Sequence, residues 1–129
     1  MNKIIVEVSI GELFDKISIL EIKQEKIKDP EKLKFINNEH SILKDQLKKN
    51  TKSDDKLNNL YQSLKEINAK LWIIEDDKRQ CEKDKDFGEK FIKLSRDVHF
   101  LNDDRAKIKL DINNHTGSAI KEIKEYTNY

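Results

Sequence analysis

SIGELFDKISILEIKQEKIKDP, residues 9–30, is the stretch that decides the fold. Ser9 and Glu12 have the S-x-x-E spacing of a capping box, in which each side chain takes an orphan amide of a helix's first turn. Ile10, Leu13, Phe14, Ile17, Leu20 and Ile27 then recur at three-and-four spacing, the mark of one helix face. Ile19 and Ile22 lie off that line, so this helix is apolar on more than one side. Asp29-Pro30 ends it near Lys28. Proline excludes helical backbone at the residue before it, yet suits the first position of a new helix. So short a break predicts an antiparallel helical hairpin.

Downstream the same logic repeats. Leu33, Ile36, Leu43 and Leu47 place a second helix to about Lys49, followed by a polar turn over residues 50–54 with Ser53 as the next cap. A third helix runs to about Glu82 through Leu57, Leu60, Tyr61, Leu64, Ile67, Leu71, Trp72 and Ile74. KDKDFGEK, residues 83–90, breaks it, and Asp86 with Glu89 forms a second capping box. The fourth helix carries Phe91, Leu94, Val98, Leu101, Ile108 and Ile112 and ends near Asn113-Asn114, with Gly117 as breaker. Residues 118–129 read as a short amphipathic helix or a docked tail, and residues 1–8 as an extended arm, because KIIVEV is β-branched and no partner strand is visible. The expectation is one all-α domain over residues 1–129, built as elongated antiparallel helical hairpins or a four-helix bundle.

Composition agrees. Only 36% of residues are hydrophobic and 40% are charged, and 3 Gly with 1 Pro leave few turns for a sheet. Narrow apolar stripes on long helices suit such a chain. The 26 basic and 25 acidic residues are interspersed, without the clustered basic excess of a generic nucleic-acid coat. The lone Cys81 permits neither an internal disulfide nor a thiolate zinc cage, and a free thiol fits a reducing cytoplasm. MNKIIVEVS is too short in apolar residues for a signal peptide, and no segment approaches the ~20 apolar residues of a membrane span.

Several stripes carry the wrong residues for packing alone. The third helix passes from Leu64 through Asn68 and Leu71 to Glu75, then Lys78 or Arg79, then Glu82. The fourth interleaves Asn102, Arg105 and Lys109 with Leu101, Ile108 and Ile112, and the first adds Glu12, Asp15 and Lys16. Ionisable groups taken out of water are costly unless paired, so such faces hold either a polar network for specificity or a site. The candidate ligand-binding residues are Glu12, Asp15, Trp72, Glu75, Arg79, Asn102, Arg105 and Lys109. Arginine suits anions because its planar fork meets carboxylate or phosphate bidentately. Glu75 and Arg79, four apart, are spaced to pair. No catalytic residue and no resident metal is indicated. The one cofactor suggested is Mg²⁺, from the one-turn spacing of Glu12 and Asp15. His40 reads as a core histidine, a pH-sensitive group or a residue with no special role.

VEVSIGELFDKISILEIK (6–23), LWIIEDDKRQCE (71–82) and DFGEKFIKLSRDVHFLNDDRAKIKLDIN (86–113) together resemble a family of small uncharacterised bacterial and phage helical proteins, classed as a domain of unknown function. The resemblance implies a link to sugar or nucleotide-sugar metabolism and carries no catalytic residues. The first helix is also faintly similar to that of the all-helical chorismate mutases, but lacks their arginine there. The all-helical nucleotide pyrophosphohydrolases share the Glu12-x-x-Asp15 spacing, without a clean second pair here. Two functions follow. The first is a helical interaction or assembly module that forms a homo-oligomer, with dimerisation expected. The alternative is a binding protein or enzyme for an anionic small molecule (nucleotide, nucleotide-sugar or carboxylate), with its site between the first, third and fourth helices.

Overall fold

The computed structural model describes residues 2–129 and holds four helices: α1 Ile10–Lys26, α2 Pro30–Asn50, α3 Asp55–Asp84 and α4 Glu89–Thr116. Among the described residues there is no strand, so the chain is all-α. Residues 2–8 and 118–129 lie outside the helices, and the last twelve residues form a tail, not a fifth helix.

Each boundary has a local cause. Ser9 caps α1, its hydroxyl accepting from Glu12 N at 3.0 Å. The reciprocal arm of the expected box is diverted, because the Glu12 carboxylate takes the Lys109 ammonium at 2.5 Å. Asp29 caps α2, with Pro30 in its first position. Two caps differ from expectation. Asp54, not Ser53, opens α3, accepting from Leu57 N at 2.7 Å, since a carboxylate three residues before that amide reaches it directly. Gly88, not Asp86, is the cap of α4; the Asp86 carboxylate is spent inside the turn on Gly88 N at 3.1 Å. Lys85 closes α3 in the left-handed conformation at φ 57°, and Gly117 closes α4 at φ 67°.

α1 is the hub, packing against α2, α3 and α4, while α2 approaches α1 alone. This is why α1 is apolar on several sides: Leu13, Phe14, Ile17, Leu20 and Ile22 are all buried. The core joins Phe14 to Leu57, Leu64 and Ile112, with Ile108, Leu60 and Tyr61 against them. Each such aliphatic contributes about 1.5–3 kcal/mol when fully buried.

Helix lengths then set the shape. At 1.5 Å per residue, the 30-residue α3 and 28-residue α4 far outrun the 17-residue α1. They pair antiparallel, with Asp54 at one end of α3 held to His115 at the far end of α4 by a 2.8 Å contact. α1 covers the half of this hairpin that holds Leu57, Leu64 and Asn68 on α3 and Lys109, Ile112 and Asn113 on α4. Towards the tip, Ile73, Phe87, Ile92 and Phe100 stay exposed, with Cys81 the one buried residue of α3 beyond Leu71.

Candidate functional site

The first turns of α1 lie directly on α4. Gly11 makes this approach possible: a Cβ there would overlap the Lys109 carbonyl oxygen and press on Asn113 Oδ1. With no side chain in the way, Gly11 N donates to Asn113 Oδ1 at 2.6 Å, which satisfies an otherwise orphaned amide of the first turn. Ser118, just beyond α4, accepts from the next free amide, Ile10 N, at 3.1 Å.

One turn further on, Asp15 is 1% exposed. Arg105 grips it with two nitrogens, Nε to Oδ1 at 2.9 Å and Nη2 to Oδ2. Asn68 of α3 donates to Asp15 Oδ1 at 2.9 Å and to Ser18 Oγ at 2.7 Å, and Ser18 in turn donates to the Asp15 carbonyl at 2.8 Å. Lys109 stands between three carboxylates: Glu12 at 2.5 Å, Glu122 of the tail at 3.5 Å and Asp15 at 3.9 Å. Burial by itself would raise the carboxyls of Asp15 and Glu12. Hydrogen bonds from Arg105 and Asn68 to Asp15, and from Lys109 to Glu12, outweigh it, so both are held below the usual carboxylate range. The hydrogen bond to Asp15 raises Arg105 correspondingly. No buried side-chain polar atom among the described residues is left without a partner.

This network floors a groove of about 650 Å³ between α4 and the tail. Arg105, Lys107, Lys109 and Lys124 line it against the carboxylates of Glu12 and Glu122, and Ile123 and Tyr126 give it an apolar wall. Arg105 Nη1 has only a 3.4 Å contact with Asn102 Oδ1, which leaves that edge of the fork available to the groove.

Of the eight residues singled out in the sequence, the structure brings together five: Glu12, Asp15, Asn102, Arg105 and Lys109. Trp72, Glu75 and Arg79 do not join them. Trp72 is half-buried on α3, Glu75 and Arg79 are exposed, and these last two form no ion pair with each other. The α3 side chains bonded to α1 are Tyr61, Lys65 and Asn68, all nearer the start of α3 than these three. Sequence reasoning passed over Gly11, Ser18, Asn113, Ser118 and Glu122 as site residues. The regular step of four from Arg105 through Lys109 to Asn113 is the signal that could have found Asn113. Glu12 faces the Lys109 ammonium and Asp15 the Arg105 guanidinium.

A second polar cluster lies on the other side of α1. Glu21 accepts from Tyr61 Oη, lies 3.0 Å from His40 Nε2 and 3.9 Å from Lys65 Nζ. Burial would raise Glu21, but Tyr61, His40 and Lys65 together lower it, and burial with the neighbouring Glu21 pushes the Tyr61 phenol far up. His40 is thereby a partly buried polar link between α2 and α1, alongside the exposed Gln24–Asn37 hydrogen bond.

Among the described residues, no helix is long and apolar enough to cross a membrane. No curated protein and no solved structure is found to match the chain. The model of a family of unknown function, DUF6165, matches residues 4–129, and the chain belongs to that family.

Proposed function

We propose that the protein binds a small anionic molecule in the groove above Asp15, Arg105 and Lys109. One observation carries this reading. In a chain with a formal charge of only +1, four basic side chains line this groove against two carboxylates. Arg105 is also oriented by a buried carboxylate, so its fork is fixed before a ligand arrives, which lowers the ordering cost of binding. Arg105 and Lys109 would take a carboxylate or phosphate, Asn102 a neighbouring hydroxyl or amide, and Tyr126 with Ile123 the face of a sugar or base. Asp15 is a positioning residue in this scheme, holding Arg105 in place.

Calorimetric titration with pyrophosphate, nucleotides, nucleotide-sugars and small dicarboxylates tests it. At least one should bind, and Arg105→Lys, which keeps the charge but loses the fork, should weaken that ligand by about tenfold, some 1.4 kcal/mol. Absence of binding by every member of the panel, or binding indifferent to Arg105→Lys, sinks the reading.

A second reading, a helical assembly module, is favoured by a different observation. Ile73, Ile92 and Phe100 of the α3–α4 hairpin are large apolar side chains exposed to solvent; Phe100 lines one shallow groove with Ile73 and another with Ile92, and contiguous patches of this kind mark interaction surfaces. Mass measurement in solution tests that reading: a monomer at every concentration would remove it.

A further inference from the structure

Residues 3–8, KIIVEV, place β-branched side chains in water. Ile4 is 91% exposed, Ile5 85% and Val6 69%. Among the described residues, no backbone hydrogen bond from elsewhere in the chain reaches residues 2–8. The segment leaves the helical body at Ser9, whose backbone is extended at φ −68° and ψ 158°. Three consecutive β-branched residues favour a strand, and an unpaired strand offers a full row of donors and acceptors to another.

We propose that this arm pairs antiparallel with the same arm of a second copy of the chain, about a two-fold axis through Ile5. The inference rests on the assembly reading above and names its surface. The charges select the register. Centred on Ile5, Lys3 faces the partner's Glu7, Ile4 faces the partner's Val6, and Ile5 faces its own symmetry mate, so both ends of the ribbon carry a Lys–Glu pair. A slip of one residue sets Glu7 against Ile4 and Lys3 against Val8, and turns the side chains to the opposite faces. A parallel in-register pairing sets Lys3 against Lys3 and Glu7 against Glu7, which is repulsive. Only the first arrangement is self-complementary, as a two-fold interface must be. Strand alternation then puts Lys3, Ile5 and Glu7 on one face and Ile4, Val6 and Val8 on the other. Within the paired residues 3–7 the second face is aliphatic, Ile4 and Val6 meeting the partner's Val6 and Ile4 as cross-strand pairs.

The test is sedimentation of the full chain across a concentration series at low salt, with a helical circular-dichroism spectrum as the check on folding. The wild type should dimerise. Lys3→Glu and Glu7→Lys should each weaken the dimer by about tenfold, because each turns two attractive pairs into two repulsive ones. The double exchange, K3E with E7K, should restore it. A dimer that all three variants leave unchanged overturns the arm pairing while the assembly reading stands. A double variant no tighter than the singles overturns the register and with it the proposal. A wild type that stays monomeric overturns both.

Discussion

The two halves of the α3–α4 hairpin are written in the same alphabet and end up in different states. Near Asn68 and Arg105, polar residues on the inward stripe are gathered into a network around a buried carboxylate. Near Glu75 and Arg79, polar residues at equivalent stripe positions stand in water. The difference lies in the third body, not in the hairpin. α1 covers one half, and there an ionisable side chain must find a partner or pay a desolvation cost. The other half is only two helices thick, so a charge on its stripe tilts outward and keeps its hydration. An ionisable residue on a helix stripe therefore signals a site only where another element lies across it.

The largest effect that would break this contrast is at Asp15. Asp15→Ala leaves Arg105 and Lys109 without their shared anchor and should cost about 3 kcal/mol, the low end for a broken buried pair because Arg105 can turn partly into water. Urea denaturation measures it, and a loss under about 1 kcal/mol would mean that the covered half is no more integrated than the open one. Acid gives a smaller, graded effect. Glu12, Asp15 and Glu21 all have folded-state carboxyls below their usual range. Their contribution is complete above the unfolded values near pH 4 and is lost as pH falls through the folded ones. Melting temperature should thus hold from neutrality to about pH 5 and fall below about pH 4, with the amide shifts of α1 moving first in NMR spectra. The smallest effect is at the open half. Glu75→Ala and Arg79→Ala should each change stability by less than about 0.5 kcal/mol in the same urea assay. A larger change would show that this half is covered after all, by another molecule.

The sequence made the architecture readable because caps and breakers are local. Ser9, Asp29-Pro30 and Gly117 sit at the ends they announce. Neighbouring polar residues compete for the same orphan amides, which is why Asp54 displaced Ser53 and Gly88 displaced Asp86. The site was readable in part. Helical periodicity gives the face of each residue, so Asp15, Arg105 and Lys109 could be put on inward faces. It does not give height relative to another helix, and height is what separates Asn102 from Glu75. Gly11 was silent for a different reason: its role is an absence of atoms, visible only once the Lys109 carbonyl is seen against it.

α2 touches the rest of the protein through α1 alone and buries a single residue, Ile36. Its link to the body is one apolar seam, the His40–Glu21 contact and a hydrogen bond from Gln24 to Asn37. Such an element is the natural first cooperative unit to open, because its release exposes little apolar surface and leaves the packing of α1 on α3 and α4 intact. Opening of α2 alone would leave a three-helix species in which the groove persists while one flank of α1 is bare. Amide protons of α2 would exchange through that species, long before those of α4 report global unfolding.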